Sequence, residues 1–446
     1  MTEAEPLSRG RLLGYAIGSV GTGIFSALPG LLLLYYLTDV LAVSAGLAGV
    51  LLVLPKAWDV LLNPVVGAAS DREAVRTGRR TRLLLVGAVS LPLLFIAMFA
   101  VPGSSPALAA CWVGLAFLLA ASAFACFQVP YVALPAEISP REDQRARTMA
   151  WRIVALTVGI LVAGGVAPVL VEAGGGGRAG YALMGTVVGI VLGAALMTAV
   201  VSTRWIPSSA GPRPLGLIAA LRTARGNRPF FMLLTAAVLQ TLAVAVMLTG
   251  APYAATYLLG DYGLTSLMFV CLVGLSVLGV PMWHRLARRH GTVPCYAVAV
   301  VVFAAGTVVL YPALEAAATG AVLALSGVLG LCYAAMQLLS FQLLPESVRA
   351  DSNRTGHAQS GAFTGVWMAA ETGALALGPG VFAAVLALGS YRATDFEHPV
   401  VQPDSALTAL TMGFTLLPAV LLVISIPPLL AYRRLAARQY ATVPAA

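Results

Sequence analysis

Long apolar runs, each interrupted by a short break rich in charge, glycine or proline, recur along the whole chain. They cover 11–38, 43–69, 82–102, 107–135, 148–171, 179–203, 229–259, 263–286, 293–313, 317–344, 356–388 and 405–432. A helix needs roughly 20 apolar residues to cross a bilayer, so each run is long enough to span and the pattern predicts twelve transmembrane helices. Several runs are longer than the bilayer requires, which implies tilt, kinks at Gly and Pro, or extension into water. Of the 446 residues, 59% are apolar and 10% charged, whereas soluble domains are about a quarter charged. A water-soluble globular domain is excluded, and the expected class is an all-α membrane protein.

Charge then orients the chain. With both termini placed inside, the inner breaks hold 23 of the 27 basic residues and the outer ones only Arg178 and Arg392. By the positive-inside rule this predicts cytoplasmic termini in a cell-membrane protein. The net charge of +9 therefore reads as topology rather than as a nucleic-acid partner. The N-terminus shows no pattern of a cleaved signal peptide. The five cysteines lie in or beside apolar runs without CxxC spacing, so no disulfide framework or metal site is expected.

The longest inner break, 204–228, mixes Pro, Gly and Arg as a linker does. It divides the chain into an N-terminal half (1–203), the linker (204–228) and a C-terminal half (229–446), each half with six spans. A faint duplication accompanies the division: Ala133-Leu134-Pro135-Ala136-Glu137 leaves the fourth span and Leu343-Leu344-Pro345-Glu346 leaves the tenth. Many transporters are built from two related halves.

Polar residues inside the apolar runs are the candidate chemistry. In the second span Lys56, Asp59 and Asn63 fall on one helical face, and ionisable groups at membrane depth normally face a cavity. Arg152 lies in the fifth span and Glu371 in the eleventh, with Trp367 one turn before it. Gln128 and Tyr131 in the fourth span, with Tyr333, Gln337 and Phe341 in the tenth, add amide and aromatic groups suited to a solute with hydroxyls and a carbon face. The glycine-rich stretches 14–23, 159–165 and 373–380 permit close helix approach. They lie inside spans and lack the partners of a phosphate cradle, so no nucleotide or other cofactor is expected.

The break after the second span contains Gly67, Asp71 and Arg72, then Gly78, Arg79 and Arg80. It resembles the signature loop of the major facilitator superfamily, in which Asp71 would accept from an arginine at a neighbouring helix end. Three further motifs narrow the resemblance: Leu34-Tyr35-Tyr36-Leu37-Thr38-Asp39, Lys56-Ala57-Trp58-Asp59-Val60-Leu61-Leu62-Asn63-Pro64, and Val129-Pro130-Tyr131-Val132-Ala133-Leu134 through Glu137. They look like the glycoside-pentoside-hexuronide:cation symporters, the melibiose permease family.

The resemblance implies the major facilitator fold and uptake of sugars with sodium or protons. It matches Asp59 to the first acid of the family's cation site and Arg152 to its fifth-helix base. It also exposes departures: Asn63 stands for the second acid of that helix, Gly23 for the first-helix acid, Gln128 for the fourth-helix acid, and Thr372, beside Glu371, for the eleventh-helix lysine. In the N-terminal half Lys56 and Arg152 thus face only Asp59.

The expected function is secondary active transport by alternating access. The solute would be sugar-like or acidic, coupled to a proton or to no ion in preference to sodium, and handled by a monomer in the bilayer. Export of an amphiphilic or anionic metabolite or lysolipid is the alternative. An intramembrane enzyme would need a catalytic pair at one depth, for which Asp59 with Glu371 is the only candidate, and a non-transporting sensor of transporter shape is a third, less favoured class.

Overall fold

The computed structural model describes residues 9–103, 105–138, 142–207, 225–355, 360–398 and 400–441. Most of the expected linker and the expected start of the eleventh span at 356 lie outside these residues. Among the described residues, twelve helices are long and apolar enough to cross a membrane. They are span 1 (Gly10–Leu33), span 2 (Ala45–Thr77), span 3 (Thr81–Phe99), span 4 (Pro106–Pro135), span 5 (Arg147–Ala173) and span 6 (Gly177–Thr203). Spans 7 to 12 are Arg228–Leu258, Leu264–His290, Thr292–Glu315, Thr319–Val348, Phe363–Leu388 and Asp404–Ala436. The expected number of spans and all-helical class hold.

Two compact units divide the chain: Met1–Pro212 with Arg392–Val401, and Arg213–Tyr391 with Gln402–Ala446. In the first, span 1 packs on spans 5 and 6, span 4 on spans 2 and 3, and span 3 on span 6. In the second, span 7 packs on spans 11 and 12, span 10 on spans 8 and 9, and span 9 on span 12. Shifting every number by six maps one set of pairings onto the other. The duplication hinted at by one short sequence match is therefore present in the packing of every helix.

Helices in lipid gain little from apolar burial, so close contact depends on small residues. Span 1 shows this on two faces. Gly14, Gly18 and Gly21 meet Ser202, Ala199 and Leu196 of span 6, at separations where an added methyl would collide. On the other face, a Cβ on Gly23 would run into the carbonyl oxygen of Leu156, and one on Gly159 into that of Val20. Spans 1 and 5 thus cross backbone to backbone. Large side chains such as Leu61, Val65, Leu93 and Leu278 point outward, which suits surfaces facing lipid.

The short segment Arg392–Val401 belongs to the first unit. Thr394 donates its backbone N–H to the Thr38 carbonyl at 2.8 Å. The Phe396 ring sits on Gly176 and Gly177, both at positive φ, where any side chain would strike the ring.

Candidate functional site

The signature motif is the first departure from the sequence reading. Residues 67–72 are not a loop: Gly67, Asp71 and Arg72 lie in the last turns of the helix that runs unbroken from Ala45 to Thr77. Between Pro64 and Gly78 the chain holds Ala68, Ala69, Glu73 and Ala74, good helix formers, and no further proline. Polar side chains let the helix continue past the apolar run.

Gly78 ends it, at φ +67 with its N–H on the Ala74 carbonyl, the left-handed cap that glycine adopts without strain. Only Gly78, Arg79 and Arg80 form the turn into span 3. Arg80, 6% exposed, donates to Asp71 Oδ1 and Ser70 Oγ at 2.8 Å each. Glu73 accepts from the backbone N–H groups of Arg82 at 2.7 Å and Leu83 at 3.2 Å, so a carboxylate of span 2 caps the start of span 3. Arg72 and Arg79 are exposed.

In the first unit, spans 1, 4 and 5 build a polar knot. Tyr131 is fully buried and stacks on Tyr15 with ring centres 4.6 Å apart. Its hydroxyl donates to the Tyr15 carbonyl at 2.6 Å. With that one hydrogen committed, Ser19 is the donor in the 2.8 Å contact between the two hydroxyls. Tyr15 returns a hydrogen bond to the Tyr131 carbonyl at 3.2 Å. The Tyr131 hydroxyl therefore ties span 4 to span 1, and its ring face is what remains for other groups.

Arg152 uses that face. Its guanidinium carbon lies 5.6 Å from the ring centre, and Nη1 reaches Met149 Sδ at 4.0 Å. Among the described residues no carboxylate pairs with it. Lys56 and Asp59, one turn apart in span 2, also form no ion pair; Asp59 is buried, Lys56 half-buried and Asn63 exposed. Trp58 on the same helix donates to Ser122 of span 4 at 2.9 Å.

In the second unit Tyr333, Gln337, Trp367 and Glu371 line one recess together with Gln240 and Tyr296. Gln337 Nε2 donates to the Tyr333 hydroxyl at 3.2 Å, and Tyr296 donates to Gln240 Oε1 at 2.7 Å. Gln240 Nε2 in turn reaches Ser425 of span 12 at 3.1 Å. Gln240, Tyr296 and Ser425 were not singled out from the sequence, although a lone amide in the apolar run 229–259 is a visible signal. Phe341 lies 6.0 Å from Trp367, ring centre to ring centre.

Buried polar atoms without partners are rare in folded proteins. Among the described residues six side-chain atoms are in that state: Asp59 Oδ1, Gln128 Oε1, Arg152 Nε, Trp367 Nε1, Thr265 Oγ1 and Ser266 Oγ. The first four belong to residues that the sequence reading selected as candidate site residues. Three of them, an acid, an amide and a guanidinium, come from spans 2, 4 and 5 of one unit, and the indole N–H comes from the other.

Twelve spans in two six-helix units with repeated pairings define the major facilitator fold. The chain belongs to the MFS/sugar transport protein family, whose model matches residues 14–433. This bears out the resemblance read from the motifs. The structure of a bacterial homolog to the human lysosomal transporter Spinster covers 98% of this chain and 100% of that one, with a TM-score of 0.71 at 13% identity, a likeness of fold. An Escherichia coli protein provisionally named a glycoside/cation symporter is 29% identical over 171 residues, 38% of this chain and 37% of its own. A Salmonella typhimurium protein provisionally named a 2,3-dihydroxypropane-1-sulfonate exporter is 27% identical over 307 residues, 67% of this chain and 66% of its own. The chain thus matches about a third of the first relative's length and just under two thirds of the second's.

Proposed function

We propose that the protein is a secondary active transporter, working by alternating access, that moves a small acidic solute with hydroxyl groups such as a uronide. The observation that carries this reading is Arg152: a guanidinium with a buried, unpartnered Nε and no carboxylate beside it among the described residues. Leaving such a charge uncompensated costs several kcal/mol. A solute carboxylate or sulfonate would satisfy it by a charge-assisted, bidentate contact. Gln128, one turn before Tyr131 on span 4, keeps a buried Oε1 without a partner and would accept from a solute hydroxyl, while the Tyr131 ring, already covered by Tyr15 and Arg152, would hold the guanidinium in place. The names of the two relatives support this, one a sugar derivative and the other a hydroxylated sulfonate.

Asp59 is the acid we assign to cation coupling in this half, with Lys56 and Asn63 as its neighbours on span 2. A proton needs one carboxylate, whereas sodium needs several oxygen ligands, so coupling to a proton is the reading that one acid supports. We also propose that the protein acts as a monomer in the cell membrane and, on the distribution of arginines, that both termini lie in the cytoplasm.

Uptake of radiolabelled glucuronate into proteoliposomes tests the reading, with glucose as the neutral comparison. Accumulation of glucuronate under a pH gradient, unchanged when sodium replaces potassium, is the expected result. No uptake of any acidic sugar, or uptake that rises steeply with sodium at fixed pH and potential, would sink it.

A further inference from the structure

Glu371 has no place in the solute and coupling roles assigned to the first unit. It opens into the recess formed by spans 7, 9, 10 and 11 of the second unit. The groups facing it from each helix are identifiable: Gln240 and Thr241 from span 7, Tyr296 from span 9, Tyr333, Gln337 and Ser340 from span 10, and Trp367 from its own helix. Span 12 contributes Ser425 through Gln240. The titratable groups among these are the two tyrosines. Among the described residues no lysine, arginine, histidine or second acid lines the recess, and Glu371 forms no ion pair.

A carboxylate at membrane depth without a counter-charge is costly, and its charge is cancelled either by a cation or by a proton. The surrounding side chains fit the smaller of these. A metal ion needs several oxygens at once and would compete here with existing hydrogen bonds, since the Gln240 carbonyl accepts from Tyr296 and the Tyr333 hydroxyl from Gln337, whereas a proton needs only the carboxylate. Trp367, 2% exposed, keeps an unpartnered indole N–H in the same recess, one turn from Glu371. An indole donates only, so it serves a carboxylate and repels a cation.

We propose that Glu371 is a proton-binding site of the C-terminal half, separate from Asp59, with Trp367 as its positioning residue. In the step itself an O–H bond of hydronium breaks and one forms on the Glu371 carboxylate, leaving water and a neutral acid; release reverses it. Each half then has its own proton-carrying carboxyl. This inference rests on the transport reading above for its use, but not for its measurement.

The test is infrared difference spectroscopy of the purified full-length protein in lipid nanodiscs through pH steps, read at the carboxyl C=O stretch. Wild type should show a protonated-carboxyl band, of which E371Q loses a component that D59N retains. E371D should displace that component, and W367F should shift it without removing it. A spectrum of E371Q identical to wild type overturns the proposal, as does a component erased by sodium chloride but not by choline chloride, which would make the site a sodium site. If E371Q does not fold, the E371D displacement decides the question in the same way. Failure of glucuronate uptake by wild type would sink the transport reading alone, since the band is measured without any solute.

Discussion

The guanidinium of Arg152 lies over the ring of Tyr131, 5.6 Å from its centre, with no carboxylate to meet it among the described residues. A cation–π contact on this scale offsets about 0.5–2 kcal/mol, less than an ion pair at depth would. The ring therefore parks the charge rather than cancelling it. Arg152→Gln should weaken competition by glucuronate about 10- to 100-fold, the worth of hydrogen bonds to a charged group, and leave competition by neutral sugars unchanged. Arg152→Lys should restore part of the loss, because it keeps the charge and forfeits the fork. Equal effects on acidic and neutral competitors would remove the role assigned to Arg152.

The crossing of spans 1 and 5 gives a stability prediction. A side chain at Gly23 meets the Leu156 carbonyl and lies 3.2 Å from the Gly159 Cα, and neither is a flexible tip that can swing aside. Gly23→Ala should cost about 1–3 kcal/mol through overpacking, seen as a lower unfolding temperature in detergent. Gly23→Asp, with a larger and charged side chain at the same crossing, should cost more. An Asp variant as stable as wild type would show that span 5 can retreat.

Two glycines of the signature motif should behave oppositely. Gly78 stands at φ +67 in open space, so Gly78→Ala is limited by backbone strain and should destabilise by about 1 kcal/mol. Gly67 lies inside the helix with its nearest neighbour, Val129, 3.8 Å from a new Cβ. Gly67→Ala should be neutral or stabilising by up to about 1 kcal/mol, the usual helix-interior gain. Thermal unfolding of the two variants side by side checks both signs.

The assignment of the arginine-rich side to the cytoplasm predicts that a cysteine introduced at Leu215 is labelled by a membrane-impermeant maleimide only after the cells are opened. Labelling in intact cells would invert the topology.

The twelve spans were legible because a 20-residue apolar run has few alternative explanations. The limit of span 2 was not, since Ser70, Asp71 and Glu73 are polar enough to read as a loop, while helix propensity and the capping of span 3 by Glu73 keep them helical. The orphaned groups Asp59, Gln128, Arg152 and Trp367 stood out for the same reason that they are costly, being polar atoms in apolar stretches. Tyr15, Ser19, Gln240 and Tyr296 carried the same signal and were missed as partners. A lone polar residue in a span does not reveal whether it faces a neighbour or a solute. Pairings such as Tyr296 with Gln240 depend on helix register, which periodicity alone leaves open. So does the meeting of Gly23 with Gly159, even though the glycine-rich stretches themselves were plain.

Where two helices touch main chain to main chain there is nothing between them to yield, since side-chain rotamers are what usually absorb small sliding movements. Spans 1 and 5 are therefore expected to move as one lever. Spin labels placed on the lipid-facing sides of these two helices should keep a single, narrow separation through every stage of a transport cycle. Whatever rearrangement the N-terminal half undergoes must be sought in the helices that contact this pair through longer side chains.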